Sequence, residues 1–389
     1  MSREDWKETT LGEVATFTIG RTPARKNPGY WTRDLTYPFL TIKGMGSGEF
    51  EEGVTDLAIA DKQAKSAPEG ALLLSFKLSV GRVITAPRTV YFNEAIAWIQ
   101  PDEDIVSQEF LALALENVDW TYQGNLAIKG KTLNSKSLKL VEIPLPPIEE
   151  QCEIVSFMQA LDQMIQAGDR EISSSEQMRE DVLKTLLTNE NDKWAEKPLM
   201  DVVNLQNGYA FKPKDLGNTG KPVVRIKQLF DPTATVDHSD IDIPEKFWIT
   251  TGDIIFTWSA RIDVAIWDRG DAYLNQHLFK VTTKDESVLS QDFTYMVIAE
   301  MIPRLTSHGT TMKHVTKTEL NRQLVYIPPL EEQEKIVEKM QTLDSYLDSA
   351  KRSQEALKQV RKDVLHALLS GDKDVREVAE MFTTDHAVA

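Results

Sequence analysis

The chain has 389 residues, which at about 100 to 200 residues per domain is enough for two to four domains. Hydrophobic residues make up 41% and charged residues 27%, a globular composition that excludes a disordered or fibrous chain. The net charge of −16 argues at first against binding a polyanion, and the single cysteine, Cys152, excludes a disulfide framework and a multi-cysteine zinc site.

The first part of the chain, up to residue 148, is predicted to be a mixed, β-rich domain. Its short β-type runs are ALLLSF, VITAP and TVYF, separated by glycine, proline and asparagine turn signals. The segment QEFLALALENV predicts a short helix. Uncharged apolar runs such as Ala71–Phe76 are far below the ~20 residues that cross a bilayer, and the start of the chain lacks a signal-peptide pattern. We therefore expect a cytoplasmic protein without a membrane partner.

A long helix is predicted to follow at PLPPIEEQ, Pro144 to Gln151, because proline ends the preceding strand and acidic residues suit a helix amino terminus. Apolar residues then recur alternately every four and three positions, the spacing of a coiled-coil seam. The predicted seam of this first helix is Ile154, Met158, Leu161, Ile165, Ile172, Val182 and Leu186, with weak positions at Gly168 and Arg179.

The chain then repeats itself. YIPPLEEQ at Tyr326 to Gln333 returns 182 residues after PLPPIEEQ, and the same offset pairs Gly70 with Gly252 and Asn93 with Asn275. Residues 191–330 again show β-type runs (DIIFTW, VAIW, LFKV) and a short helix at FTYMVIAEMI. The second long helix has its predicted seam at Ile336, Met340, Leu343, Leu347, Leu357, Val364 and Leu368. The sequence therefore predicts a tandem duplication of one unit.

Two arrangements of the long helices are consistent with this pattern. Pairing in an antiparallel coiled coil predicts a rod with a globular domain at each end and a pseudo-twofold axis across its middle, and a period of 3.5 over five heptads favours it. The alternative is that each helix packs on its own globular domain. The predicted fold class is α+β, with two β-rich mixed domains joined by two long helices.

Charge and motifs indicate binding rather than catalysis. Residues 149–190 carry 3 basic and 10 acidic side chains and residues 331–389 carry 9 and 13, so most of the excess acid lies on the predicted helices. The two β-rich parts are nearly neutral. KGKT at Lys129 lacks the first glycine of a phosphate loop, and no HExxH or GxSxG motif occurs. We therefore expect no catalytic residue and no metal site in this chain.

Basic residues of the β-rich parts cluster with aromatic and turn residues. Lysine and arginine contact phosphates or guanine, so these clusters predict that double-stranded DNA is bound, one half-site by each domain. The predicted contacts in the first domain are Arg21, Arg25, Lys26, Trp31, Arg33, Lys43, Lys77, Arg82, Lys129 and Lys131. Those in the second domain are Tyr209, Lys212, Lys214, Arg225, Lys227, Arg261, Lys313 and His314. The acidic helices are expected to hold protein partners instead.

The chain resembles the specificity (S) subunit of prokaryotic type I restriction-modification enzymes over nearly its full length. The resemblance rests on LGEVATFTIGRTPARKNPGYW, PFLTIKGM, EGALLLSFKLSVGRV, FNEAIAWIQP and above all the repeated Pro-Pro-x-Glu-Glu-Gln helix start. It implies two target recognition domains that bind the halves of an interrupted DNA sequence, and two conserved helices that set the gap. It also implies docking of two modification subunits, which hold S-adenosylmethionine and methylate adenine, and of restriction subunits that use ATP and Mg²⁺. This chain itself is implied to hold no cofactor.

The predicted organisation is target recognition domain 1 at 1–148, the first helix at 149–190, target recognition domain 2 at 191–330, the second helix at 331–371 and a carboxy-terminal tail at 372–389. NGYAFKP at Asn207 to Pro213 replaces IGRTPARK of the first domain, so the two half-sites are expected to differ. Two other functions remain open from the residues alone: an adaptor whose domains bind only proteins, and an uncharacterised hydrolase with its site between the domains.

Overall fold

The structure is a computed structural model that describes residues 6–77, 79–120, 133–188, 194–306 and 315–384. It divides into two compact units: Met1–Gly168 with Gln354–Ala389 is unit 1, and Asp169–Ser353 is unit 2. Each unit contains one β-rich domain and one half of each long helix. Over the described ranges, no helix is both long enough and apolar enough to cross a membrane.

The domain of unit 1 alternates short strands with short helices. Its elements are β1 (Lys7–Thr10), α1 (Leu11–Val14), β2 (Ala15–Ile19), β3 (Trp31–Thr32), β4 (Phe39–Leu40), α2 (Ile42–Ser47), β5 (Gly53–Val54), α3 (Asp56–Ala60), β6 (Ser66–Ala67), β7 (Leu72–Ser75), β8 (Val83–Thr85), β9 (Val90–Phe92), β10 (Ile96–Pro101), α4 (Gln108–Asn117), α5 (Ser135–Lys139) and β11 (Glu142–Leu145). The first long helix, α6 (Ile148–Leu186), follows and continues into unit 2.

The domain of unit 2 repeats this order. Its elements are β12 (Ala195–Pro198), α7 (Leu199–Val202), β13 (Val203–Asn207), β14 (Lys221–Val224), α8 (Ile226–Phe230), β15 (Asp237–Ser239), β16 (Trp248–Ile249), β17 (Ile254–Ser259), β18 (Arg261–Ile266), β19 (Ala272–Leu274), β20 (Leu278–Thr283), α9 (Gln291–Thr306), α10 (Lys317–Asn321) and β21 (Leu324–Ile327). The second long helix, α11 (Leu330–Ser370), and a short helix, α12 (Val375–Thr384), complete the chain.

The sheets of the two domains have matching strand orders. The main sheet is β2-β10-β7-β8 in unit 1 and β13-β20-β17-β18 in unit 2, antiparallel throughout. A smaller sheet, β4-β9-β6 in unit 1 and β15-β14-β19-β16 in unit 2, contains one parallel pair in each case. The predicted mixed, β-rich domains and the tandem duplication are therefore confirmed.

Each domain buries its main sheet against the short helix that the sequence predicted, α4 in unit 1 and α9 in unit 2. Phe110 of α4 and Phe293 of α9 are fully buried in the respective cores. Serine caps both helices, since the hydroxyl of Ser107 accepts a hydrogen bond from the Phe110 amide and that of Ser290 from the Phe293 amide. The same cores include ends of the long helices, so helix and domain form one hydrophobic unit.

The segment after α11 contains a helix that the sequence analysis, which treated 372–389 as a tail, did not foresee. Gly371, in a left-handed conformation (φ 72°), ends α11. Asp374 then caps α12 by accepting hydrogen bonds from the amides of Arg376 and Glu377. One face of α12 packs on unit 1, where Val378 is buried and the Phe382 ring centroid lies 6.0 Å from that of Phe157 on α6.

Candidate nucleic-acid interface

The long helices pair antiparallel within each unit. In unit 1 the first half of α6 contacts the last half of α11, and in unit 2 the last half of α6 contacts the first half of α11. Every predicted seam residue is buried or half-buried, with Ile154, Met158, Met340 and Leu368 at most 2% exposed. Helix ends also join the domain cores. The prediction of a coiled coil is confirmed. The alternative, in which each helix packs on a globular domain, applies to the helix ends only.

One ion pair is repeated in the two units. In unit 1, Arg361 of α11 donates from Nε to Asp162 of α6 at 2.5 Å, and its Nη1 contacts Glu116 of α4 at 2.6 Å. In unit 2, Arg179 of α6 donates from Nε and Nη2 to Asp344 of α11, the latter at 3.1 Å. The offset of 182 relates both arginines and both aspartates. The pairs fix the helix register, and Glu116 also ties the helices of unit 1 to their domain.

The pKa values of these arginines reflect the pairing. In unit 1, burial lowers the pKa of Arg361, but the hydrogen bonds with Asp162 and Glu116 outweigh burial and raise it above the ordinary value. In unit 2, the hydrogen bond with Asp344 raises the pKa of Arg179. In both units the pairing thus favours the charged form of the arginine.

A polar layer interrupts the apolar seam of unit 1. Gln354 of α11 is buried, and its amide nitrogen donates to the Ile165 carbonyl of α6 at 2.6 Å. It lies against Gly168, where the Cβ of any other residue would collide with the Gln354 side-chain amide. A larger residue at this position would displace the Gln354 amide from its bond with Ile165, which explains the glycine that the seam pattern marked only as weak.

The repeated Gln of the helix-start motif has a structural role that the sequence did not reveal. The Gln151 side chain is fully buried; its Oε1 accepts from the Ser107 amide at 2.9 Å, and its Nε2 donates to the carbonyls of Ile105 at 3.1 Å and Pro146 at 2.9 Å. Gln333 makes the equivalent bonds with the Ser290 amide and the carbonyls of Val288 and Pro328. Each glutamine joins a long helix to the start of α4 or α9.

A second repeated contact joins the start of each domain to the same helix turn. The indole nitrogen of Trp6 donates to Glu150 at 3.0 Å, and that of Trp194 donates to Glu332 at 3.1 Å. The motif Pro-Pro-x-Glu-Glu-Gln is thus a docking motif for the adjacent domain. Its glutamate and glutamine side chains hold each domain in a fixed orientation on its own end of the helices.

The first basic cluster predicted in unit 1 lies in the chain segment between β2 and β4, which includes β3. The guanidinium carbon of Arg25 lies 3.8 Å from the centroid of the Trp31 ring, and its Nη1 is 2.5 Å from Glu52. Arg21 donates to the Lys62 carbonyl at 3.0 Å. Lys26 and Arg33 are exposed. Of the predicted residues, Arg25 and Trp31 thus lie together, and Arg25 has a carboxylate partner that the sequence did not predict.

The second group of unit 1 lies where the β7–β8 hairpin meets α2. Arg82 donates to the Ile42 carbonyl of α2 at 3.0 Å, and Lys43 of the same helix pairs with Glu51. Lys77 is half-buried, with its ammonium 5.2 Å from the centroid of the Phe76 ring. The contact with Ile42 thus brings Arg82 to the helix that carries Lys43.

The predicted residues of unit 2 also fall into two groups. Tyr209 belongs to an aromatic group in which its ring centroid lies 5.0 Å from that of Phe211, and exposed Lys212 and Lys214 follow it in the chain. Arg225, Lys227 and Arg261 surround α8, at the corner equivalent to that of Arg82 and Lys43. Arg225 pairs with Asp237 at 2.5 Å, and Lys227 is exposed.

Four predicted contacts, Lys129, Lys131, Lys313 and His314, lie outside the described residues. The chain resumes beside the main sheet in both units: the Leu133 amide donates to the Phe76 carbonyl, and the Val315 amide donates to the Trp258 carbonyl. The DNA contacts as a set therefore remain predictions. In the described ranges there is no group of three or more His, Cys, Asp or Glu side chains placed to hold a metal ion.

Comparison with known proteins identifies the family. The sequence profile described as "Type I restriction modification DNA specificity domain" matches residues 3–173 and 191–359, and so covers both copies of the repeat. The chain belongs to this family. Each match covers one copy of the duplicated unit, so the tandem repeat is a repeat of the family's domain.

Individual relatives agree. The type I restriction enzyme EcoBI specificity subunit of Escherichia coli is 29% identical over 51% of this chain and 42% of that protein. The MjaIX specificity subunit of Methanocaldococcus jannaschii is 23% identical over 96% of this chain and 95% of that protein. A solved chain from a study of type I R-M system assembly shares the fold, with a TM-score of 0.64 at 16% identity over 94% of this chain and 97% of that one.

Proposed function

We propose that this chain is the DNA sequence-specificity subunit of a type I restriction-modification enzyme, and that each β-rich domain recognises one half of a bipartite sequence. The observation that carries the proposal is the duplication itself. Two copies of one specificity domain are accompanied by a repeated set of seam residues, ion pairs and glutamine contacts. Because the chain belongs to a family of DNA-recognition subunits, its role is DNA binding rather than catalysis.

The helices act as the spacer between the half-sites. Both are continuous, with 39 and 41 residues, so each is about 60 Å long. Gln151 and Gln333 each bind one β-rich domain to its own part of the helix pair, which is the contact that a spacer needs. The segment that carries the first basic cluster reads IGRTPARK in the first domain and NGYAFKP in the second, so the half-sites are expected to differ in sequence.

The modification subunits dock on the helices, one for each copy of the repeat. Met164, Met178, Tyr346 and Val360 are exposed apolar residues, each immediately before a seam position, and the offset of 182 pairs Met164 with Tyr346 and Met178 with Val360. In an antiparallel pair such residues flank the same side of the seam. Each unit therefore carries one apolar pair, Met164 with Val360 and Met178 with Tyr346, among acidic side chains. The catalytic cofactors, S-adenosylmethionine, ATP and Mg²⁺, belong to the partner subunits.

Mapping of methylated adenines tests the function directly. In cells that express the chain with its modification subunit, methylation is expected at one sequence made of two specified parts and a fixed unspecified gap. The chain without that subunit is expected to give none. Methylation at an uninterrupted sequence, or methyl transfer by this chain alone, would contradict the proposal.

Charge placed on the apolar pairs tests the docking surface. The double variant Met164→Glu, Met178→Glu is expected to weaken the binding of modification subunits at least tenfold, because each carboxylate has to be desolvated at the contact. Affinity is measured by titration of the purified modification subunit. Leu140→Glu is the matched control, since Leu140 is as exposed (57%) but lies outside the helices. Equal losses in both variants would refute the assigned surface.

A further inference from the structure

Three arginines in the described part of the chain combine an aromatic ring within 4.3 Å of the guanidinium with a bound carboxylate. They are Arg25 over Trp31 with Glu52, Arg261 over Phe230 with Asp263, and Arg269 over Trp267 with Asp268. Arg25 and Arg261 are 52% and 56% exposed, whereas Arg269 is 31% exposed. One exposed arginine of this kind therefore lies in each domain.

The guanidinium group of Arg261 has an aromatic ring on one face and a carboxylate on one edge, and its other donor edge points away from both. Its guanidinium carbon lies 3.7 Å from the centroid of the Phe230 ring, while Nε and Nη2 bind the same Asp263 oxygen at 2.8 and 2.6 Å. The residue before it, Ala260, has a φ of 61°, so the tight β17–β18 turn fixes where the side chain begins. Stacking and the carboxylate fix the plane of the group, and the edge formed by Nη1 and the outer hydrogen of Nη2 faces away from Asp263.

Arg25 is held in a similar way in unit 1. Trp31 covers one face of its guanidinium, and Glu52 binds Nη1 at 2.5 Å, which leaves the edge formed by Nε and Nη2. Arg269 differs, because its Nη2 donates to the Leu229 carbonyl at 3.2 Å and its Nε faces Asp268 at 3.3 Å. Nε and Nη2 of Arg269, which form one donor edge, therefore face partners within the domain.

An oriented pair of parallel N–H donors matches the O6 and N7 acceptors of guanine in the major groove. Ordering of the side chain before binding lowers the entropic cost of that contact. A phosphate contact fits these arginines less well, because the bound carboxylate already balances the guanidinium charge and would repel a phosphate. The arrangement thus favours base recognition over backbone attraction.

We propose that Arg25 and Arg261 each recognise one guanine, Arg25 in the half-site bound by the first domain and Arg261 in the half-site bound by the second. The inference rests on the proposed function, and it adds which base is recognised in each half-site and which residue recognises it. Phe230 with Asp263, and Trp31 with Glu52, are positioning residues that hold the donors in plane.

The test is a methylation map of the full chain expressed with its modification subunit. Lysine keeps the charge but has neither the planar donor edge nor the stack. Arg261→Lys is expected to lower discrimination at one G·C pair of one half-site by about tenfold to a hundredfold, with the other half-site and the gap unchanged. Arg25→Lys is expected to do the same in the opposite half-site only. Arg269→Lys is the matched control and is expected to leave both half-sites intact.

Several results would overturn the inference. A wild-type half-site that contains only A·T pairs would do so at once. So would a uniform loss of methylation at every position of the motif in the Arg25→Lys or Arg261→Lys variant, which indicates a phosphate contact, provided that thermal unfolding shows the variant folded. Arg25→Ala and Arg261→Ala are second variants, expected to relax the same positions. Absence of any two-part motif with the wild-type chain would instead refute the proposed function.

Discussion

Replacing Gln151 by alanine is expected to lower the free energy of unfolding of unit 1 by about 3 kcal/mol. The change leaves the Ser107 amide and the carbonyls of Ile105 and Pro146 without their buried partner, and each unsatisfied group costs about 1 to 3 kcal/mol before water enters the space. For a unit of this size the melting temperature is expected to fall by about 6 to 12 °C, as measured by calorimetry.

The matched control is Gln159→Ala, on the same helix but exposed, which is expected to change stability by less than about 0.5 kcal/mol. Gln333→Ala is the equivalent change in unit 2 and is expected to have a similar effect there. Hydrogen exchange gives a second measurement, since the Ser107 amide loses its acceptor in Gln151→Ala. A loss of stability below about 1 kcal/mol, with unchanged exchange at Ser107, would show that the glutamine contact is dispensable.

Lengthening both long helices by one heptad is expected to widen the gap between the half-sites and leave the half-sites unchanged. Gly168 faces Gln354, so a copy of Asp162–Gly168 inserted after Gly168 and a copy of Leu347–Ser353 inserted after Ser353 keep the seam in phase. Seven residues add about 10 Å to each helix, so the gap can grow by up to about three base pairs. Methylation mapping measures the result.

Insertion into α6 alone is the control for this experiment. It moves the seam of α6 by one heptad relative to α11 and separates Arg179 from Asp344, so destabilisation and loss of methylation are expected. A paired insertion that changes the bases of either half-site, or that leaves the gap as it was, would contradict the role of the helices as a spacer.

The duplicated architecture could be predicted from the sequence because its signals are periodic. Both the offset of 182 and the heptad spacing can be read from the sequence. In the structure the residues at that spacing, Ile154, Met158, Leu161 and Ile165, are buried where the helices pair. The short helices α4 and α9 were predictable for the same reason. Strand order was not, since short β-type runs do not say which strand they pair with.

Residues whose role depends on a distant partner could not be identified in advance. The partners of Gln151 are 5 to 46 residues away, and Glu116 meets Arg361 across 245 residues of chain. Likewise the sequence marked Arg25, Lys43, Arg225 and Arg261 as basic, but only the fold shows that Glu52, Glu51, Asp237 and Asp263 pair with them. Helix α12 was missed because a short amphipathic segment needs the docking site at Phe157 to be stable.

The repeated ion pair also decides in which direction the helices can run. In a parallel pair with the repeats aligned, seam residues 182 positions apart would face each other, so Arg179 would face Arg361. Two guanidinium groups would then repel each other within the seam without a carboxylate between them. The antiparallel pairing instead gives each arginine an aspartate partner. The ion pairs thus favour the antiparallel orientation of α6 and α11, which the apolar heptads alone would not specify.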